Sequence, residues 1–174
     1  MASVFGHIVA STALGRSFFP RRADAGVLLL GAISAFLPDA DVLAFHFGIP
    51  YESVWGHRGW THSAAFALAW GWLVACLFYR RQPGFQALGW YFTLATLSHP
   101  LLDMCTNGGR GVALFFPFDN ERLFFPWRPI LVSPLGVSNF FSPWGRRVLE
   151  SECVYVLVPG VLLWALSKAF RKAF

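Results

Sequence analysis

Charged side chains are scarce in this chain. Asp, Glu, Lys and Arg make up 13% of its 174 residues, against about 25% in an ordinary soluble domain. With 56% hydrophobic residues and a mean hydropathy of +0.51, this excludes a free-standing soluble domain. A chain of about 150 residues buries only about 70% of its surface, so the apolar surplus needs lipid. Thiols are equally few. Cys76, Cys105 and Cys153 show no CxxC or finger spacing, so neither a disulfide framework nor a Cys-rich zinc module is expected. Cys76 and Cys153 lie in apolar runs and read as small buried hydrophobes. No charged n-region leads into an apolar stretch and a small-residue cleavage site, so no removable signal peptide is expected. The glycine-rich TNGGRG (106–111) lacks the Lys-Ser/Thr of a phosphate-cradling loop, and no GxSxG nucleophile elbow occurs. With no repeat or low-complexity tract, residues 1–174 read as one membrane-embedded helical domain.

Long apolar segments are what the chain has instead. Four of them, at about 25–47, 63–79, 85–104 and 153–170, approach the roughly 20 residues a spanning helix needs. A shorter mixed stretch, 4–19, reads as an additional helix, packed against the others or partly inserted. Residues 105–152 are rich in Pro, Gly, Phe and Trp. They hold too many prolines for a long helix and enough aromatic rings to lie along the membrane interface. The expected fold is therefore all-α: a polytopic membrane helical bundle of about four transmembrane helices, a short N-terminal helix and a long aromatic, Pro-rich interfacial loop.

The formal charge is +5 and the pI about 9.6. The basic residues cluster between apolar segments rather than along one stripe, which points to lipid headgroups and topology control and away from nucleic acid. If four spans alternate, Arg16, Arg21, Arg22, Arg80, Arg81, Lys168, Arg171 and Lys172 share one face. Arg58, Arg110, Arg122, Arg128, Arg146 and Arg147 are spread over longer loops on the other. The denser group is placed in the cytoplasm.

That topology gathers the chain's ionisable groups. Asp39 and Asp41 lie toward the end of the first span, His57 and His62 precede the second, and His99 and Asp103 close the third. His7 joins them if the N-terminal helix starts from the same face. All seven then meet at the non-cytoplasmic face. In LSHPLLDM, His99 and Asp103 are i and i+4, one helix face holding an imidazole and a carboxylate. Pro100 leaves the helical reading open there. In WGHRGWTHS, His57 and His62 are five apart across a glycine-containing turn. In FLPDADVLAF, Asp39 and Asp41 follow a proline; one would be a ligand and the other a base or a group holding an imidazole tautomer. Imidazole with carboxylate suits zinc, and also manganese or iron. Each residue has a plainer reading, since a lone intramembrane Asp or His commonly faces the bundle interior and pairs with a neighbour. His7 could equally be a packed core histidine, and His46 reads as interfacial. Arg58 could steady an anionic oxygen or pair with Asp41 or Glu52. Glu150 and Glu152 could add a ligand, or serve only as helix-N-terminal carboxylates.

The N-terminal His, LPDAD, HRGWTHS and SHPLLD, in that order on apolar spans, resemble the YdjM-type family of LexA-regulated bacterial inner-membrane proteins over roughly residues 1–170. The resemblance implies a membrane-embedded metal-dependent hydrolase in the inner membrane. The pattern is also similar to that of the zinc-dependent phospholipase C and P1-nuclease group, helical enzymes that use several zinc ions on phosphoester bonds. Carried over, His7, Asp39, His57, His62, His99 and Asp103 become the metal set. The chain departs from that group in lacking a clear later HxxxE, a gap Glu150 or Glu152 could fill. The function expected is a divalent-metal hydrolase with Asp41 or Asp39 as base and Arg58 facing developing negative charge. Its partners would be membrane lipids, with a lipid phosphoester or related ester as substrate. The alternative is a non-enzymatic membrane protein, either a metal or proton transporter or a metal-stapled scaffold. A transporter needs a polar route through the cytoplasmic half, which spans two and four scarcely offer.

Overall fold

The computed structural model describes residues 1–134 and 137–173. Helices dominate, and among the described residues the only β pairing is two isolated bridges, Thr106 with Ile130 and Val112 with Leu123. Helix α1 (Val4–Phe18) starts at Ser3, whose hydroxyl accepts from the Gly6 N–H. Helix α2 (Ala25–Phe36) is capped by Asp24, and α3 (Ala64–Tyr79) by Ser63. Each cap satisfies an N–H that a helix start would otherwise leave unpaired. Pro38 then tightens the chain after α2 into a 3-10 helix, Leu37–Phe47. Helix α4 (Phe85–Met104) runs through Pro100 without ending, so the i, i+4 relation of His99 and Asp103 holds.

The core is built around α4. Its Leu88, Tyr91, Phe92 and Ala95 pack with Val27 of α2 and with Val74 and Ala75 of α3. Small residues permit the close approach. A Cβ on Gly71 would collide with the Thr93 backbone, and one on Gly31 with the Tyr91 ring. Close backbone contact of this kind is how helices associate where lipid supplies no hydrophobic drive. Helix α1 lies across α2, α4 and the last helix, with His7, Ser11 and Gly15 turned inward.

The last helix departs from expectation. It begins ten residues before Cys153, at Pro143, inside the stretch read as loop. Proline at the first helical position loses no hydrogen bond, and Ser142 caps it. After a short helix α5 (Val137–Phe140) it runs as α6 (Pro143–Glu152), a π turn over Cys153–Leu157, and α7 (Val158–Ala173).

Among the described residues, two helical stretches are long and apolar enough to cross a membrane: Ala25–Phe47 and Pro143–Lys172. Of the other two expected spans, α3 is apolar but only 16 residues long. Helix α4 has 20 residues, but its Thr93, Thr96, His99 and Asp103 are buried among neighbouring helices, so it has less apolar surface to give to lipid. Helix α7 is the opposite case. Val158, Val161, Leu162, Leu166 and Phe170 are all exposed, an apolar surface far beyond what water tolerates. Cys76 and Cys153, expected to be buried, are exposed as well; their apolar runs face outward rather than into protein. The loop after α4 is an ordered cap. Ala64 N–H bonds the Leu114 carbonyl, Ala113 N–H the Arg58 carbonyl and Asn107 N–H the Ile130 carbonyl. Phe115, Phe118 and Trp127 remain exposed on it, as interfacial rings would be.

Candidate metal centre

Three elements meet at one buried point. The 3-10 helix brings Asp39, the short 3-10 turn Trp60–His62 brings His62, and α4 brings His99 and Asp103. These four side chains each place a ligand atom within 4.8 Å of the other three, and all are buried. His62 Nε2 stands 3.0 Å from His99 Nε2, 3.6 Å from Asp39 Oδ1 and 3.8 Å from Asp103 Oδ2, and His99 Nε2 is 3.3 Å from Asp39 Oδ1. Ligand atoms held tetrahedrally at zinc bond lengths lie about 3.3–3.6 Å apart. The spacing fits.

Hydrogen bonding behind the cluster decides what it points inward. His99 Nδ1 is 2.7 Å from the Ala35 carbonyl oxygen, which can only accept, so Nδ1 carries the hydrogen and Nε2 of the neutral ring offers a lone pair. His62 Nδ1 lies 3.1 Å from Asp41 Oδ2, which orients its Nε2 in the same way. Two imidazole nitrogens and two carboxylates therefore converge. Asp103 Oδ2 faces Arg58 Nε at 2.9 Å, whereas Asp39 Oδ1 and Oδ2 accept no hydrogen bond. Buried charge left in that condition is costly unless paired or bound to a cation, and the donor set is that of a zinc, manganese or iron site.

Sequence alone left open which aspartate faces the metal. A 3-10 helix turns about 120° per residue, so Asp39 and Asp41 diverge. Asp41 takes the supporting position. Its Oδ1 is 2.7 Å from His57 Nδ1, and its Oδ2 accepts from Thr61 Oγ1 at 2.7 Å and from the Arg58 N–H at 3.1 Å. With His62 as a fourth donor, both oxygens of Asp41 are engaged. Such carboxylates fix the tautomer of a ligating histidine, and losing one typically costs about 10–100-fold in metal affinity. Asp41→Asn is expected to weaken zinc binding by about that factor, read by competition with a chelating dye; unchanged affinity would remove the supporting role.

Arg58 is fully buried and adopts a left-handed backbone (φ 64°). Its guanidinium pairs with neither Asp41 nor Glu52. Its Nε is 2.9 Å from Asp103 Oδ2, Nη1 donates to the Gly108 carbonyl at 2.9 Å and Nη2 to Thr106 Oγ1 at 3.0 Å. Glu52 pairs with Arg110 instead. His57 stands behind the four-residue cluster, sharing Asp41 with His62. His7 is fully buried and stacks on His99 with ring centroids 3.8 Å apart. Its Nε2 is 3.7 Å from Asp103 Oδ1, and neither ring nitrogen has a hydrogen-bond partner. Glu152 is buried but receives the backbone and hydroxyl of Ser3, and exposed Glu150 pairs with Arg146 at 2.9 Å; neither belongs to the four-residue cluster. Sequence offers no role for Thr61 or Thr106, and it places Arg122 only among the loop arginines of the non-cytoplasmic face. Arg122 ties the cap down by donating to the carbonyls of His57, Tyr51 and Ser53. Thr61 adjoins His62 in the quoted motif, the one signal available for it.

Burial alone would lower the pKa of His62, but Asp39, Asp41 and Asp103 outweigh it and hold it at about 9. A cation must displace that proton. Zinc uptake at pH 7 is expected to release about one proton and to tighten about 10-fold per pH unit until His62 is neutral, near pH 9. Titration calorimetry in buffers of different ionisation enthalpy measures the release, and a pH-independent affinity would contradict the competition.

An all-helical protein with a lipid-seeking exterior and a buried His/Asp cluster able to hold a metal ion defines the class: a helical membrane protein with a candidate metal centre. The chain belongs to the YdjM inner membrane protein family, whose model it matches over residues 1–173. It is similar to inner membrane protein YbcI of Escherichia coli K12, at 39% identity over 169 residues covering 95% of this chain and 96% of that one. No solved structure matches. Residence in the bacterial inner membrane follows from the family and from the apolar helices.

Proposed function

We propose that this protein is a divalent-metal hydrolase, with zinc as the preferred ion, acting on a lipid phosphoester at the non-cytoplasmic face. The observation that carries the reading is the convergence of two imidazole nitrogens with the Asp39 carboxylate, whose oxygens accept no hydrogen bond. When bound, such an ion supplies Lewis acidity toward a phosphoryl oxygen and toward water. His62, His99, Asp39 and Asp103 would hold it, with His7 beside Asp103 as a further nitrogen. Asp41 keeps His62 and His57 in register. Asp39 is better suited than Asp41 to act as base, because its Oδ2 is unengaged. In the reaction the water oxygen bonds to phosphorus, the P–O ester bond breaks, and the proton accepted at Asp39 passes to the leaving alkoxide. Arg58 balances the charge of Asp103.

The same reading takes four crossings, with α3 and α4 joining the two longer helices and the Arg80–Arg81 turn in the cytoplasm. Metal analysis of detergent-purified protein, followed by phosphate or alcohol release from defined phospholipids, tests the function. Absence of bound metal from the wild type would sink it. Retained metal with no turnover of any ester would favour an ion that only staples α2, α4 and the 57–62 loop together.

A further inference from the structure

Beside the metal cluster lies a cavity of about 510 Å³, within the roughly 300–1,000 Å³ typical of ligand sites. Its walls are apolar. Val4 and Phe5 of α1, Phe36 and Val42 flanking Pro38, and Phe140 and Phe141 supply most of the surface. The Phe5 and Phe140 rings lie 5.8 Å apart. One charged side chain reaches into this lining, Asp39. It is 97% buried and neither of its oxygens has a hydrogen-bond partner. Asp39 therefore stands between this cavity and the candidate metal centre.

The cavity also adjoins an exposed apolar helix face. Leu29, Ile33 and Phe36 follow one another at i, i+4 and i+7 on α2 and are 63%, 43% and 41% exposed, one continuous apolar stripe along the helix face. Phe36 belongs to both stripe and cavity. In an inner-membrane protein that stripe lies against acyl chains, so a chain can pass from the bilayer into the cavity without crossing water.

We infer that this cavity holds one acyl chain of a bilayer glycerophospholipid and presents the lipid's phosphate end to the cluster at Asp39. The inference rests on the lipid-hydrolase reading and names how its substrate is selected: by one long chain, with the headgroup beyond the ester left less constrained. Aromatic walls suit this task because they offer large apolar area at small entropic cost.

The full-length protein in nanodiscs can be photolabelled with phosphatidic acid bearing a diazirine on one acyl chain, and adducts mapped by mass spectrometry. Adducts are expected on Phe5, Phe36, Phe140 or Phe141. Unlabelled dipalmitoyl phosphatidic acid should reduce them about 10-fold while the dibutyryl form leaves them in place, since affinity grows with each buried methylene. Val42→Trp or Val4→Trp, which fill the cavity, should remove the same adducts with metal content unchanged. Leu77→Trp, on an outward face of α3, should not. Equal competition by both chain lengths, or cavity labelling that survives both filling variants, would overturn the proposal. Labelling needs no turnover, so a protein that shows the adducts but cleaves no ester would refute the hydrolase reading and leave the acyl site standing.

Discussion

On the proposed metal reading, purified His62→Ala protein is expected to retain almost none of the divalent metal bound by the wild type. His62 stands closest to the centre of the cluster, within 3.8 Å of ligand atoms from His99, Asp39 and Asp103. Loss of a supporting carboxylate alone weakens metal binding about 10–100-fold, so loss of a direct ligand should exceed about 100-fold. The substitution also removes the one imidazole that links the cluster to Asp41. Plasma mass spectrometry of metal content, with gel filtration and helix content confirming the fold, reads the result. His46→Ala is the matched control, because His46 is exposed at the end of the 3-10 helix and touches none of this. Full metal occupancy in His62→Ala would remove the four-residue centre from consideration.

The second large effect concerns Arg58. Arg58→Met keeps the length of the side chain but deletes the cation facing Asp103 in a fully buried pair. Breaking such a pair by removing one partner costs about 3–5 kcal/mol, because the other charge is left without compensation. The thermal midpoint in detergent should fall accordingly. The loss should be smaller when zinc is present than when a chelator is, since an ion held by Asp103 would itself offset the uncompensated carboxylate. An equal loss under both conditions would mean that Asp103 does not reach the ion. A stability unchanged by Arg58→Met would mean that Asp103 is protonated in the folded protein.

Both effects trace to side chains that a sequence reader can list but not connect. His99 and Asp103 were legible as a pair because helical spacing alone puts i and i+4 on one face, and α4 carries them that way despite Pro100. His57 and His62 were legible as neighbours of a span but not as unequal partners. One joins the convergence and the other sits behind Asp41. Asp39 and Asp41 could not be told apart from two adjacent letters in LPDAD. Their separation depends on the 3-10 winding that follows Pro38, and on which imidazole each one meets. The pairing of Arg58 with Asp103, 45 positions away on α4, was not legible, because proximity in sequence offers only Asp41 and Glu52.

The span pattern shows the same division. Composition placed the chain in lipid, and apolar length located α2, α3, α4 and the last helix. It could not tell a helix that faces lipid from one that is enclosed by others, as α4 is, and it read the polar first turns of the last helix as loop. Cap residues such as Ser142 and Pro143 were the local sign of that helix's true start.

Membrane residence, helical class and the ligand types are thus properties of the sequence by itself, because hydropathy and side-chain chemistry act residue by residue. Which four candidate ligands converge, which carboxylate stands behind them and where an apolar cavity adjoins Asp39 were decided by tertiary structure. Ligand atoms must meet within a few ångströms, and only the packing of α2, α4 and the 57–62 loop sets positions that finely.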